Sequence, residues 1–165
     1  MLDFFNNDCK ESPRKNVLFG ICEGNNSGRA YTEIENPDTW IATVRNERGL
    51  ETVFTAIDKC VIKDNEYQNR KRCDGMLTTD EHIYLIELKD RNYSGVDGLA
   101  LQQLESTLQF LYEIHGELVD TYRYKKAFAC NKSKPRFVTI DAEQKRRFFD
   151  MYRFRIDIQA DVIIV

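Results

Sequence analysis

Asp74, Glu87 and Lys89 are the residues whose types and spacing best suit chemistry in this chain. They flank a segment that reads as two strands, 72–79 and 82–89, because apolar and β-branched residues are frequent in both and Asp80-Glu81 between them suits a tight turn. A two-residue turn sets Thr79 opposite His82. Counting back in that antiparallel register puts Asp74 opposite Glu87 and Arg72 opposite Lys89. A three-residue loop would shift the pairing by one and send Asp74 to the other face.

Opposed carboxylates on one face of a sheet repel, so a fold that keeps them must supply a counter-charge, a shared proton or a metal ion. Side chains alternate along a strand, so Glu87 and Lys89 point the same way and Asp74 joins them from its neighbour. Met76, Ile83 and Leu85 make the rest of that face apolar, which places the charges at the edge of a core, where solvation is poor. A hard cation held by oxygens, magnesium with several waters retained, relieves the repulsion. Such an ion acidifies a bound water and offsets the charge that builds on a phosphate during in-line attack. Lys89 is then placed to orient or deprotonate that water, or to touch the phosphate.

Asp74, twelve intervening residues, then Glu87-x-Lys89 on a hydrophobic strand resembles the signature of the PD-(D/E)XK nuclease superfamily. The likeness spans roughly residues 38–131 and extends to the order helix, three strands, helix, strand. It implies an α/β fold with a restriction endonuclease-like core, a mixed central sheet flanked by helices, over a single domain of residues 1–165 with 1–35 as an N-terminal extension. It also implies that Asp74 and Glu87 bind Mg2+ or Mn2+, that Lys89 assists the attacking water, and that the activity is phosphodiester hydrolysis in nucleic acid, with DNA the expected substrate. Cys73 stands where the family's name-giving proline would be. Members often add an acid from the first core helix, and Glu35 and Asp38 both fit by spacing. Many carry a glutamine on the helix after the lysine strand, a place that Gln103 fills, although an exposed helix glutamine with no special task fits equally well. The competing expectation is a catalytically inactive protein of the same fold, serving as a nucleic-acid-binding or protein-interaction subunit.

The elements that must position these residues follow from pattern. Asn36-Pro37-Asp38 offers a cap, a proline at the first helical position and an acid in the first turn, and predicts a helix over 37–48 ending near Gly49. Residues 50–62 read as a strand. Ser94 or Asp97 caps a helix to Gly116 in which Leu101, Leu104, Leu108 and Leu111 recur at helical steps. That stripe is expected to pack on the sheet, with a homodimer or larger complex as the other use. Residues 127–131 read as a strand, 142–152 as a charged helix and 154–165 as one final strand, while 17–22 is either a short strand or a buried turn.

At 165 residues with a net charge of -3 and 42% hydrophobic residues, the chain has material for one folded core. No apolar run approaches a membrane span and residues 1–10 are polar, so no membrane association and a cytoplasmic location are expected. Five cysteines without a C-x-x-C pair predict buried free thiols rather than disulfides or zinc. The basic residues cluster at Arg70-Lys71-Arg72, Arg123 with Lys125-Lys126, 132–136, and Lys145-Arg146-Arg147. Arg70, Lys71 and Arg72 lead straight into the acidic site and are the expected phosphate-steering group. His82 and His115 have no second ligand at metal spacing and are expected to be structural or surface residues. Trp40, Tyr67 and Tyr93 are candidates for stacking on bases, with core packing the plainer use.

Overall fold

The computed structural model describes residues 2–26, 28–89, 98–131, 141–159 and 161–165. In chain order the elements are Leu18–Cys22 (β1), Tyr31–Glu33 (β2), Ala42–Arg45 (β3), Val53–Ala56 (β4), Gly75–Thr78 (β5), His82–Lys89 (β6), the helix Gly98–Asp120 (α1), Tyr124–Asn131 (β7), the helix Ala142–Tyr152 (α2), Arg155–Ile158 (β8) and Asp161–Ile163 (β9). Two mixed sheets result, one ordered β4-β5-β6-β7-β8 and one ordered β2-β1-β3-β9. The larger begins as an antiparallel meander through β4, β5 and β6 and continues with β7 and β8 parallel. The architecture is a mixed α/β fold.

Strand β6 explains the layering. It is buried on both faces, as the middle strand of a covered sheet must be, and accordingly reads as a nearly unbroken apolar run. On one face Met76, Ile83, Leu85 and Ala127 pack against Leu104, Leu108 and Leu111 of α1 and Phe148 of α2. On the other, Leu77, Tyr84, Ile86 and Phe128 meet Phe19, Ile21, Val44 and Val162 of the smaller sheet. The leucine stripe thus lies on the sheet, each fully buried leucine contributing about 1.5–3 kcal/mol.

Several expectations are corrected. The helix expected over 37–48 is only a 3-10 turn, Pro37–Thr39, followed by β3. The proline turn starts as expected, but Ala42 and Val44 are buried on alternate positions, and β1 and β9 supply ladders on both sides. Trp40 lies across Gly20, where a Cβ would stand 1.9 Å from the indole, so it fills core rather than waiting for a base. The expected strand 50–62 shortens to β4 and turns away at Lys59, which adopts φ 68°. The final strand 154–165 splits into β8 and β9, one in each sheet. Helix α1 passes Gly116 and reaches Asp120 across a break at His115 (φ −127°, ψ 28°). The presumed extension 1–35 contributes β1 and β2. Ser94, Asp97, Tyr93 and the cluster 132–136 lie outside the described residues.

The cysteine expectation is also corrected. Cys9 and Cys60 form a disulfide, whereas Cys22, Cys73 and Cys130 are buried thiols outside any disulfide. Spacing hid the pair because 51 positions separate its members. They meet because the segment after Cys9 runs along β4, with antiparallel bridges at Lys10–Thr55 and Arg14–Thr52. Closing a loop of that size restricts the unfolded chain, so Cys60→Ser is expected to lower unfolding free energy by roughly 2–4 kcal/mol in urea titration. Dithiothreitol should bring the native protein to the same value and leave the variant unchanged. Among the described residues no helix is long and apolar enough to cross a membrane.

Candidate active site

The hairpin register places the acids. Gly75 pairs with Ile86, Met76 with Leu85 and Thr78 with Ile83, and the Thr79 N–H donates to the His82 carbonyl to close the two-residue turn. Extending that register sets Asp74 opposite Glu87, and the Asp74 N–H donates to the Ile86 carbonyl just before the start of β5. Asp74, Glu87 and Lys89 therefore share the face covered by α1. They lie where β6 ends and the crossover through α1 begins, at the carboxyl end of parallel strands, where α/β sheets commonly bind ligands.

Glu87 is 3% exposed. Its Oε2 receives the Lys89 ammonium at 3.3 Å, while its Oε1 is buried with no donor against it. The Lys89 Nζ also donates to the Gln103 Oε1 at 3.2 Å, so Gln103 faces inward from α1. Asp74 Oδ2 accepts the Leu88 N–H at 2.7 Å. The two carboxyls are close enough to hydrogen-bond through one proton. Burial, then the Asp74 charge, pushes Glu87 up to about 10 against the opposing pull of Lys89. Burial likewise raises Asp74, with the Leu88 N–H pulling it back. Burial and the Glu87 charge push the neighbouring Cys73 thiol up.

This donor set fits a hard divalent cation. Two converging carboxylates with an orphaned buried oxygen are what magnesium uses when it keeps waters and shares a phosphate, whereas an all-protein cage would need more ligands. Among the described residues no group of three or more His, Cys, Asp or Glu side chains is assembled for a metal. Asp74 and Glu87 would hold the ion, and Lys89 would stand beside it.

The remaining candidates divide. Arg70 makes a two-pronged bond to Glu113 (2.7 and 3.2 Å) and stacks over Phe110 at 3.9 Å. The Arg72 Nε donates to Asp58 at 2.9 Å, and Lys71 donates to Gln102 at 2.7 Å. Both arginines are thus spent locking the 63–72 segment onto α1 and the turn after β4. Only Lys71 among the three has no acid partner among the described residues. Glu35 and Asp38 belong to the turn packed against β1, on the smaller sheet, which covers the opposite face of the large sheet from the acid pair. Neither is brought to Asp74. The acid that does lie near is Asp58, whose charge helps raise Asp74. Sequence reading missed it because residue 58 stood inside a presumed strand.

The histidines are structural. His82 is buried and stacks on Tyr124, its Nδ1 against the Thr79 hydroxyl and its Nε2 against the Val165 carbonyl at 2.7 Å. His115 Nε2 accepts the Phe4 N–H at the break in α1. Tyr67 meets Phe110 edge-on at 5.0 Å. No protein-family model matches this chain, and no curated protein or solved structure matches it significantly.

Proposed function

We propose that this chain is a divalent-metal-dependent nuclease, hydrolysing phosphodiester bonds of nucleic acid, with DNA the expected substrate. The observation that carries the reading is the buried Asp74–Glu87 carboxyl pair with Lys89 against it, two like charges in a dry place where only a proton or a cation balances them. The meander β4-β5-β6 followed by the α1 crossover to parallel β7 supports a restriction endonuclease-like core. The missing first helix, replaced by the smaller sheet, is a departure from it.

When bound, Mg2+ or Mn2+ supplies charge neutralisation at the phosphate and a more acidic water. Asp74 and Glu87 give up their shared proton to receive it, which Lys89 assists by lowering the cost of ionising Glu87. Lys89 Nζ then offers a hydrogen bond to the attacking water or to a phosphate oxygen, and Gln103 fixes the direction of that ammonium. Neutralisation of Arg70 and Arg72 within the fold favours a second reading, a nuclease-fold protein that binds nucleic acid or a protein partner without cutting. Incubation with plasmid, single-stranded and branched DNA, and with RNA, in Mg2+ or Mn2+ separates the two. Cleavage abolished by EDTA supports the enzyme; inactivity on every substrate overturns it.

A further inference from the structure

Three cations with no acid partner among the described residues gather away from the acid pair, around the start of β8. Arg153 and Arg155 both lean on one ring, Phe149 of α2, with guanidinium carbons 5.5 and 5.1 Å from its centroid. Both are exposed, and Phe149 is 36% exposed. Beside them, Lys126 of β7 is the direct partner of Arg155 on β8, with its ammonium over Tyr84. Among the described residues none of the three has a carboxylate at ion-pair distance, although the neighbouring Lys145, Arg146 and Arg147 each have one.

Two features make this more than a solvated basic face. Like charges at facing positions of adjacent strands destabilise a sheet unless an anion lies between or above them. Arg153 also caps α2 in the left-handed conformation (φ 61°), a position where glycine or asparagine is usual and a long L side chain is disfavoured. The strained backbone aims its side chain along Phe149, beside that of Arg155. Two planar guanidinium forks held against an aromatic ring suit the paired oxygens of phosphates, and an aromatic backing keeps them aligned.

We infer that Arg153 and Arg155, backed by Phe149, together with Lys126, backed by Tyr84, form a binding surface for the phosphate backbone of nucleic acid, apart from the acid pair. The choice of nucleic acid as the anion rests on the nuclease reading; the surface does not. Arg155 and Glu87 lie two strands and three residues apart in the aligned ladders, about 14 Å between backbones. Three is odd and side chains alternate along a strand, so the backbone of Arg155 directs its side chain to the face opposite Glu87, and the surface is separate from the acid pair.

The test is fluorescence anisotropy of a short labelled DNA duplex with the full chain in EDTA, where binding is read without cleavage. The triple variant Arg153→Gln/Arg155→Gln/Lys126→Gln is expected to bind roughly tenfold more weakly at physiological salt, and the slope of log K against log salt is expected to flatten by about 2.7. Arg153→Gly relaxes the cap, so it should fold at least as well and still flatten the slope by about 0.9. Unchanged affinity and slope in both variants overturn the surface. Binding to phosphatidylserine vesicles that depends on the same residues, without binding to DNA, overturns it in favour of a lipid surface. Should the native protein cut DNA while the variants bind as it does, only this inference falls. Arginine-dependent binding by a protein that cuts nothing leaves the surface standing and removes the nuclease reading.

Discussion

Lys89→Ala is expected to slow metal-dependent cleavage by roughly 10²–10⁴-fold, the usual cost of removing a group that handles the proton or the charge of a hydrolytic transition state. Asp74→Ala should do at least as much damage for a different reason, the loss of one of two carboxylates that hold the ion. Thermal unfolding separates the two roles. A ligand present at a hundred times its dissociation constant stabilises the folded state by about 2.7 kcal/mol. Lys89→Ala keeps both acids and should retain a manganese-induced rise in melting temperature, whereas Asp74→Ala should lose most of it. Neither variant should unfold in EDTA, because Glu87 holds a proton in the folded state without metal and so is not left as an unpaired buried charge. Equal loss of the manganese response in both variants would count against separate roles for lysine and aspartate. Full activity in either would end the proposal.

The second large effect is on stability against pH in the absence of metal. Glu87 is raised from about 4.5 unfolded to about 10 folded, chiefly by burial. Between those values the native protein holds a proton that the unfolded chain has released. Its stabilisation is therefore complete below the unfolded value and declines as pH rises, by at most about 1.4 kcal/mol per unit. Asp74 is raised as well and acts in the same direction. Urea titrations in EDTA from pH 5 to 9 should show falling stability in the native protein and a distinctly flatter profile in Glu87→Gln, which carries no proton to lose. Metal should flatten the native profile too, since ionised carboxylates are then balanced by a cation. Parallel profiles for the native protein and Glu87→Gln would mean that Glu87 is ionised in the folded state.

The hairpin was legible because two local signals agreed: apolar residues on both strands, and a two-residue polar turn whose length fixes the register. The elements from α1 to α2 were readable for the same reason, since each has a single strong periodicity. What failed was wherever a distant partner decided. Ala42 to Arg45 carries turn and helix signals at its start, yet β1 and β9 on either side make it a strand. The Cys9–Cys60 bond and the split of the last strand depend on contacts between remote segments, which spacing does not encode. The acids opposite one another could be counted from the turn. That Arg70 and Arg72 would be matched by Glu113 and Asp58 could not, because charge along a chain says nothing about which charges meet across it.

Strands β8 and β9 follow one another in the chain yet finish different sheets. Each sheet borrows its outermost member from the same short ribbon, so pulling that ribbon away bares two open edges in one event. Partial opening of one sheet alone is therefore disfavoured, and the two halves should melt together. A lesion at Ile156 or Val162, both buried, would be felt on both sides of the molecule and invite sticking between copies through unpaired backbone.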